Sequence, residues 1–220
     1  MLALSPSGDG APLRRVLAIG CHADDIEIGC GGTLLGLTRG RPDVEVEVTW
    51  VVLGADGDRA AEARTSAEDF LSGASRSRIV VHGFKDAYMP YHGESVKEAF
   101  EDLKQIQPDL VLTHTRDDLH QDHRLACELT WNTFRDHLIL EYEVPKWDGD
   151  LGRPNLYVPL TEDVVADKLE LVLRHFPTQA GKHWYDDETF RGLMRLRGLE
   201  CAAPSRYAEA FYAPKVMLSP

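Results

Sequence analysis

His22-Ala23-Asp24-Asp25 places an imidazole and two carboxylates within four consecutive residues, directly after the apolar run Val16-Leu17-Ala18-Ile19-Gly20-Cys21. Clustering such groups is costly, because like charges repel and burial penalises each ion unless a cation compensates. A bound divalent metal would compensate them, so the pattern predicts metal chemistry at the C-terminal end of a strand. About a hundred residues further on, the segment His114 to His123 carries three histidines and three aspartates in ten positions and leads into a helical stretch from Arg124 to His137. A histidine in the first turn of that helix and another three residues earlier can approach the same crevice, one to bind metal and one to contact substrate.

The elements that must position these groups follow from the alternation of apolar runs and amphipathic stretches. Strands are expected at Arg15–Cys21, Val44–Leu53, Arg78–Phe84 and Asp109–Thr115, with helices at Gly31–Arg39, Ala60–Ser72 and Ser95–Gln107 between them. This order predicts an α/β fold, a Rossmann-like three-layer sandwich with a mostly parallel sheet. In such sheets the ligand crevice lies outside the carboxyl ends of the strands, where both polar clusters fall. Gly29, Gly31 and Gly32 do not make a dinucleotide fingerprint and are expected to permit close packing of a helix N-terminus. The C-terminal part departs from the repeat. Strands at Leu138–Trp147 and Asn155–Leu160 bracket a loop rich in Pro, Gly and Asp, and a helix at Glu162–Phe176 carries an apolar stripe.

The length of 220 residues suits a single domain, with residues 1–12 read as a flexible leader. A net charge of −12, from 24 basic against 36 acidic side chains, argues against nucleic acid and anionic membranes as partners. The N-terminus lacks the basic and apolar regions of a secretory signal, so the expected compartment is cytoplasmic. Cys21, Cys30, Cys127 and Cys201 form no C-x-x-C pair, and four free thiols are expected.

The segments His22 to Thr33 and His120-Gln121-Asp122-His123 together resemble the signatures of the PIG-L/LmbE family of metal-dependent N-deacetylases, A-H-P-D-D-x-E-x-G-C-G-G-T and H-x-D-H. Either half alone has a bland reading, as an N-capping turn or a surface His–Asp pair. The resemblance implies an enzyme that removes acetyl from an N-acetylglucosamine-type amino sugar, whether a sugar conjugate, a sugar nucleotide or a natural-product intermediate. It implies a Zn2+ cofactor, with Fe2+ as another divalent candidate, held by His22, Asp25 and His123. Three N/O ligands leave an open coordination position, and a metal lowers the pKa of water toward about 7. The same resemblance makes Asp24 the general base and His120 the oxyanion stabiliser or acid, with Asp122 orienting an imidazole. Arg59 matches a family position that binds sugar hydroxyls, although an i,i+3 pair with Glu62 is the plain alternative. Asp86 matches a position that accepts hydroxyl hydrogen bonds. The expected partner is therefore a small acetylated amino sugar, with homo-oligomerisation left open. A deacetylase of a non-sugar amide and a metal-retaining binding protein without turnover are the competing readings. Ala23 replaces the usual proline and Ile26 a frequent acidic residue, and Asp118 falls where some members have a tyrosine; if that tyrosine helps the oxyanion, this chain must use another donor or rely on metal plus His120.

Overall fold

The structure, a computed structural model, describes residues 13–40 and 44–217; the leader expected over residues 1–12 lies outside them. The chain runs β1 (Arg15–Gly20), α1 (Asp25–Arg39), β2 (Glu47–Val52), α2 (Gly57–Phe70), β3 (Arg76–Val81), α3 (Gly93–Leu103), β4 (Leu110–His114) and α4 (Gln121–Thr133). It continues through β5 (Ile139–Tyr142), β6 (Leu156–Pro159), α5 (Glu162–His175), α6 (Asp187–Glu200) and β7 (Ala208–Tyr212). Seven strands form one sheet in the order β3-β2-β1-β4-β5-β7-β6. The first five are parallel, and β7 pairs antiparallel with both β5 and β6.

Strand periodicity builds the layers, because successive side chains point to opposite faces. Val16 and Ala18 of β1 join Trp50, Phe70, Leu34 and Val172 in one core, against α1, α2 and α5. Leu17 and Ile19 join Val51, Phe100 and Ala126 in the other, against α3 and α4. Both sheet faces are covered, which is why β1 reads as a continuous apolar run. The expected α/β architecture is the observed one.

Two boundaries near the site differ from expectation. Helix α1 starts at Asp25, six residues before the predicted Gly31, so the glycines lie inside the helix. A Cβ on Gly29 would come 2.2 Å from the Tyr142 ring, and one on Gly31 would come 2.6 Å from Phe70. These glycines bring the buried part of the helix, Asp25–Leu35, close onto its neighbours. The strand expected over Leu138–Trp147 ends at Tyr142, where the chain leaves the sheet. β5 and β6 are also not neighbours: β7, from the far end of the chain, lies between them. Among the described residues no helix is long and apolar enough to cross a membrane.

Candidate metal centre

The chain goes from β1 to β2 on one side and places β4 on the other, so a crevice opens between the carboxyl ends of β1 and β4. The turn after β1 supplies His22, Asp24 and Asp25. The segment after β4 supplies Asp118, His120, Asp122 and His123. Helices α1 and α4 both begin at this crevice, and their N-terminal dipoles favour the negative charge of the carboxylates there.

Asp25 is the hub. Its Oδ2 accepts the His22 backbone N–H at 2.7 Å and lies 3.3 Å from His22 Nδ1 and 3.4 Å from His123 Nε2. The two imidazole nitrogens are 3.1 Å apart. Outer carboxylates fix both tautomers. His123 Nδ1 lies 2.8 Å from Asp118 Oδ2, and His22 Nε2 lies 3.0 Å from Asp86 Oδ1 and 3.4 Å from Asp122 Oδ2. With protons on those outer nitrogens, His22 Nδ1 and His123 Nε2 are left as acceptors beside Asp25 Oδ2, which also lies 3.3 Å from His114 Nε2. Tetrahedral coordination at about 2.0–2.1 Å requires ligand atoms roughly 3.3–3.4 Å apart. The two nitrogen–oxygen separations meet that spacing and the nitrogen–nitrogen separation of 3.1 Å falls slightly short of it, so this donor set fits a divalent cation with a small adjustment.

Other groupings also bring ligand atoms within 4.8 Å of one another, among them Cys21, Asp25, His114 and His123. His114 is less available than its position suggests. Its Nε2 accepts the Cys21 backbone N–H at 3.0 Å, and its ring stacks on His123 with centroids 3.8 Å apart. Burial and the neighbouring His123 push its pKa down to about 4.

Asp24 adjoins the hub, with its Oδ1 3.5 Å from Arg59 Nη2. Burial and the charge of Asp25 raise its pKa, against the pull of Arg59 and His22. Arg59 also lies 3.5 Å from Asp86. It does not use Glu62, which instead accepts the backbone N–H and hydroxyl of Thr178 at 3.0 and 2.6 Å. Asp86, placed by sequence at a substrate hydroxyl, is half-exposed and touches His22 and Arg59 together.

His120 caps α4. Its Nδ1 accepts the Asp122 backbone N–H at 3.3 Å, which leaves the proton on Nε2 in the neutral ring. Burial and the cationic potential of His123 and His22 lower its pKa. Asp122 is fully buried, and its oxygens accept the backbone N–H groups of Ala87 at 2.7 Å and Met89 at 3.2 Å. It therefore anchors the loop after β3 and reaches His22 only at longer range. Ala87 sits there at φ 64°, a backbone conformation that costs a non-glycine residue energy and that this anchor helps to hold. The imidazole-orienting role expected for Asp122 is shared with two residues outside that reading, Asp86 behind His22 and Asp118 behind His123. Asp118 stands in the expected histidine-rich segment, but nothing in the spacing says that it faces inward.

The family model described as GlcNAc-PI de-N-acetylase, PIG-L, matches residues 17–134, the span that carries every residue of this centre. The chain belongs to the PIG-L family. It is 31% identical over 174 residues to the uncharacterized deacetylase YaiS of Escherichia coli K12, covering 74% of this chain and 90% of that one. Two solved structures share the fold. N,N'-diacetylchitobiose deacetylase from Pyrococcus horikoshii superposes with a TM-score of 0.68 at 24% identity, covering 90% of this chain and 83% of that one. GalB, the 4-carboxy-2-hydroxymuconate hydratase of Pseudomonas putida KT2440, gives 0.70 at 16%, covering 94% and 99%. A deacetylase and a hydratase on one scaffold show that the fold alone does not choose the reaction.

Proposed function

We propose that this PIG-L family member is a divalent-metal-dependent deacetylase that hydrolyses the N-acetyl amide of an N-acetylglucosamine-type amino sugar, with Zn2+ as its resident ion and the cytoplasm as its compartment. The observation that carries the reading is the convergence of His22 Nδ1, Asp25 Oδ2 and His123 Nε2 on one point, with the unligated Asp24 carboxylate next in the chain. A divalent ion held by these three residues supplies Lewis acidity, which makes a water nucleophilic near neutral pH.

Asp24 takes a proton from the attacking water and returns it to the amide nitrogen as the C–N bond breaks, so acetate and a free amine leave. Burial raises its basicity toward that task, whereas Asp25 stays ionised. His120 donates Nε2–H to the carbonyl oxygen as negative charge develops there. Asp118 does not replace the family's tyrosine in this role, because its carboxylate is committed to His123 and to Lys146 at 3.0 Å. Arg59 and Asp86, at the open side of the centre, present a donor and an acceptor to sugar hydroxyls. The description of the matching family supports the sugar substrate.

The test is acetate release from a panel of N-acetylglucosamine conjugates by chain reconstituted with zinc. Release that stops on chelation and returns with metal is expected. A fully metallated chain that releases no acetate from any acetylated amine would favour a binding protein without turnover. Release only from amines lacking a sugar would move the substrate class.

A further inference from the structure

The carboxylate behind His123 has its own support, outside both motifs. Asp118 is buried, with one oxygen on His123 Nδ1. Its other oxygen accepts the His120 backbone N–H at 2.8 Å and lies 3.0 Å from Lys146 Nζ. The Lys146 side chain is only 11% exposed, although lysine ordinarily keeps its ammonium in water. It is held there by a second buried carboxylate, Asp150, at 2.6 Å, whose Oδ2 also accepts the Leu119 backbone N–H at 2.8 Å. Asp148 lies further off, at 3.9 Å, and is partly exposed.

The arrangement is a chain of contacts from His123 through Asp118 and Lys146 to Asp150. Without the ammonium that they share, Asp118 and Asp150 would be two buried carboxylates with no cation between them, and Asp118 would lose one of the three contacts that set its rotation, beside those to His123 and the His120 N–H. We infer that Lys146 is a positioning residue for the metal centre: it fixes Asp118 behind His123 and so ties the loop after β5 to the metal ligand. The inference rests on the proposed metal reading. It gives the loop bearing the exposed Trp147 a defined link to the centre, since any movement of that loop displaces the partner of Asp118.

The experiment measures Zn2+ affinity by competition with a chromophoric chelator, alongside thermal melting of the metal-free chain to confirm folding. Removing an outer partner of a metal ligand typically weakens binding about 10–100-fold, and Lys146→Met is expected to fall in that range. Lys146→Arg should restore binding to within about threefold on the same scale. Asp148→Asn should bind as the unmodified chain does. If Lys146 acts through Asp118, Lys146→Met adds little to the loss already caused by Asp118→Asn, whereas independent effects would multiply. Should Lys146→Met not fold, Lys146→Gln is read in the same way, because it keeps a hydrogen-bond donor and loses the charge. A folded Lys146→Met or Lys146→Gln with unchanged affinity overturns the inference, as does a full multiplicative loss in the double variant. Failure of the metal reading itself looks different: the unmodified chain would bind no zinc, or His123→Ala would bind it undiminished.

Discussion

Asp24 and Asp25 are neighbours in sequence with opposite electrostatic surroundings. Burial would raise both, but His123, His114 and His22 converge on Asp25 and hold it well below the usual carboxylate range, while Asp24 stays raised. Two titratable groups pushed apart in this way are what a site needs when one carboxylate must stay a ligand and the other must accept a proton. The histidines carry a pH prediction. Burial would lower His22 and His123, yet Asp25 and their outer carboxylates raise both above the usual imidazole value. In the metal-free chain both therefore hold protons more tightly than a free imidazole does, and metal binding must expel the protons they hold. Zinc affinity should climb with pH until these groups have lost their protons and then level off. Calorimetry at pH 7 should show a binding enthalpy that changes with the ionisation enthalpy of the buffer, less so at pH 9; a buffer-independent enthalpy at pH 7 would contradict it. His22, Asp25 and His123 were legible in the sequence because each motif is local and its spacing fixes its turn. The parts of His114 and Asp118 were not, since they depend on which way a side chain faces within the same ten residues. Lys146 meets Asp118 from another loop, a contact that no local pattern encodes.

Helix α1 shows how an element serves the centre. Asp25 must stand at its first turn, so the helix has to pass over the sheet at the C-terminal end of β1 and beside Tyr142 of β5. The Tyr142 hydroxyl donates to the Ile19 carbonyl at 2.6 Å, and its ring packs on His114. That ring cannot easily give way, and Gly29 is the residue that makes room for it. Overpacking a close-fitted core typically costs about 1–3 kcal/mol, and Gly29→Ala should lower the melting temperature accordingly and weaken zinc binding with it. Gly36→Ala, where a Cβ would meet nothing within 4 Å, is the control and should be neutral or mildly stabilising. Equal behaviour of the two variants in thermal melts would remove this account of α1. Three glycines in four residues weaken the helical signal, so the sequence alone places the start of α1 late. Close packing is expected of these glycines from sequence, but only the fold names their partners, Phe70, Tyr142 and Leu160.

Over the whole molecule, the parallel part of the sheet was readable because each strand–helix alternation is a local signal, and the crevice between β1 and β4 follows from that order. The antiparallel end was not, since pairing β7 between β5 and β6 is decided by contacts between distant segments. Glu209 of β7 accepts the backbone N–H groups of Gly32 and Thr33 at 2.8 and 2.7 Å and pairs with buried Lys168 at 2.7 Å. The C-terminal strand and α5 are thereby fastened to the helix that carries Asp25. The proposed centre is thus assembled from two distant segments, one bringing His22, Asp24 and Asp25 and the other bringing His123. The most direct test measures zinc content and acetate release together for Asp24→Asn and His123→Ala on an N-acetylglucosamine conjugate. Asp24→Asn is expected to keep its zinc and lose about 10²–10⁴-fold in turnover, the usual contribution of a positioned general base, while His123→Ala loses the metal. Undiminished acetate release by Asp24→Asn at full zinc occupancy would contradict the account.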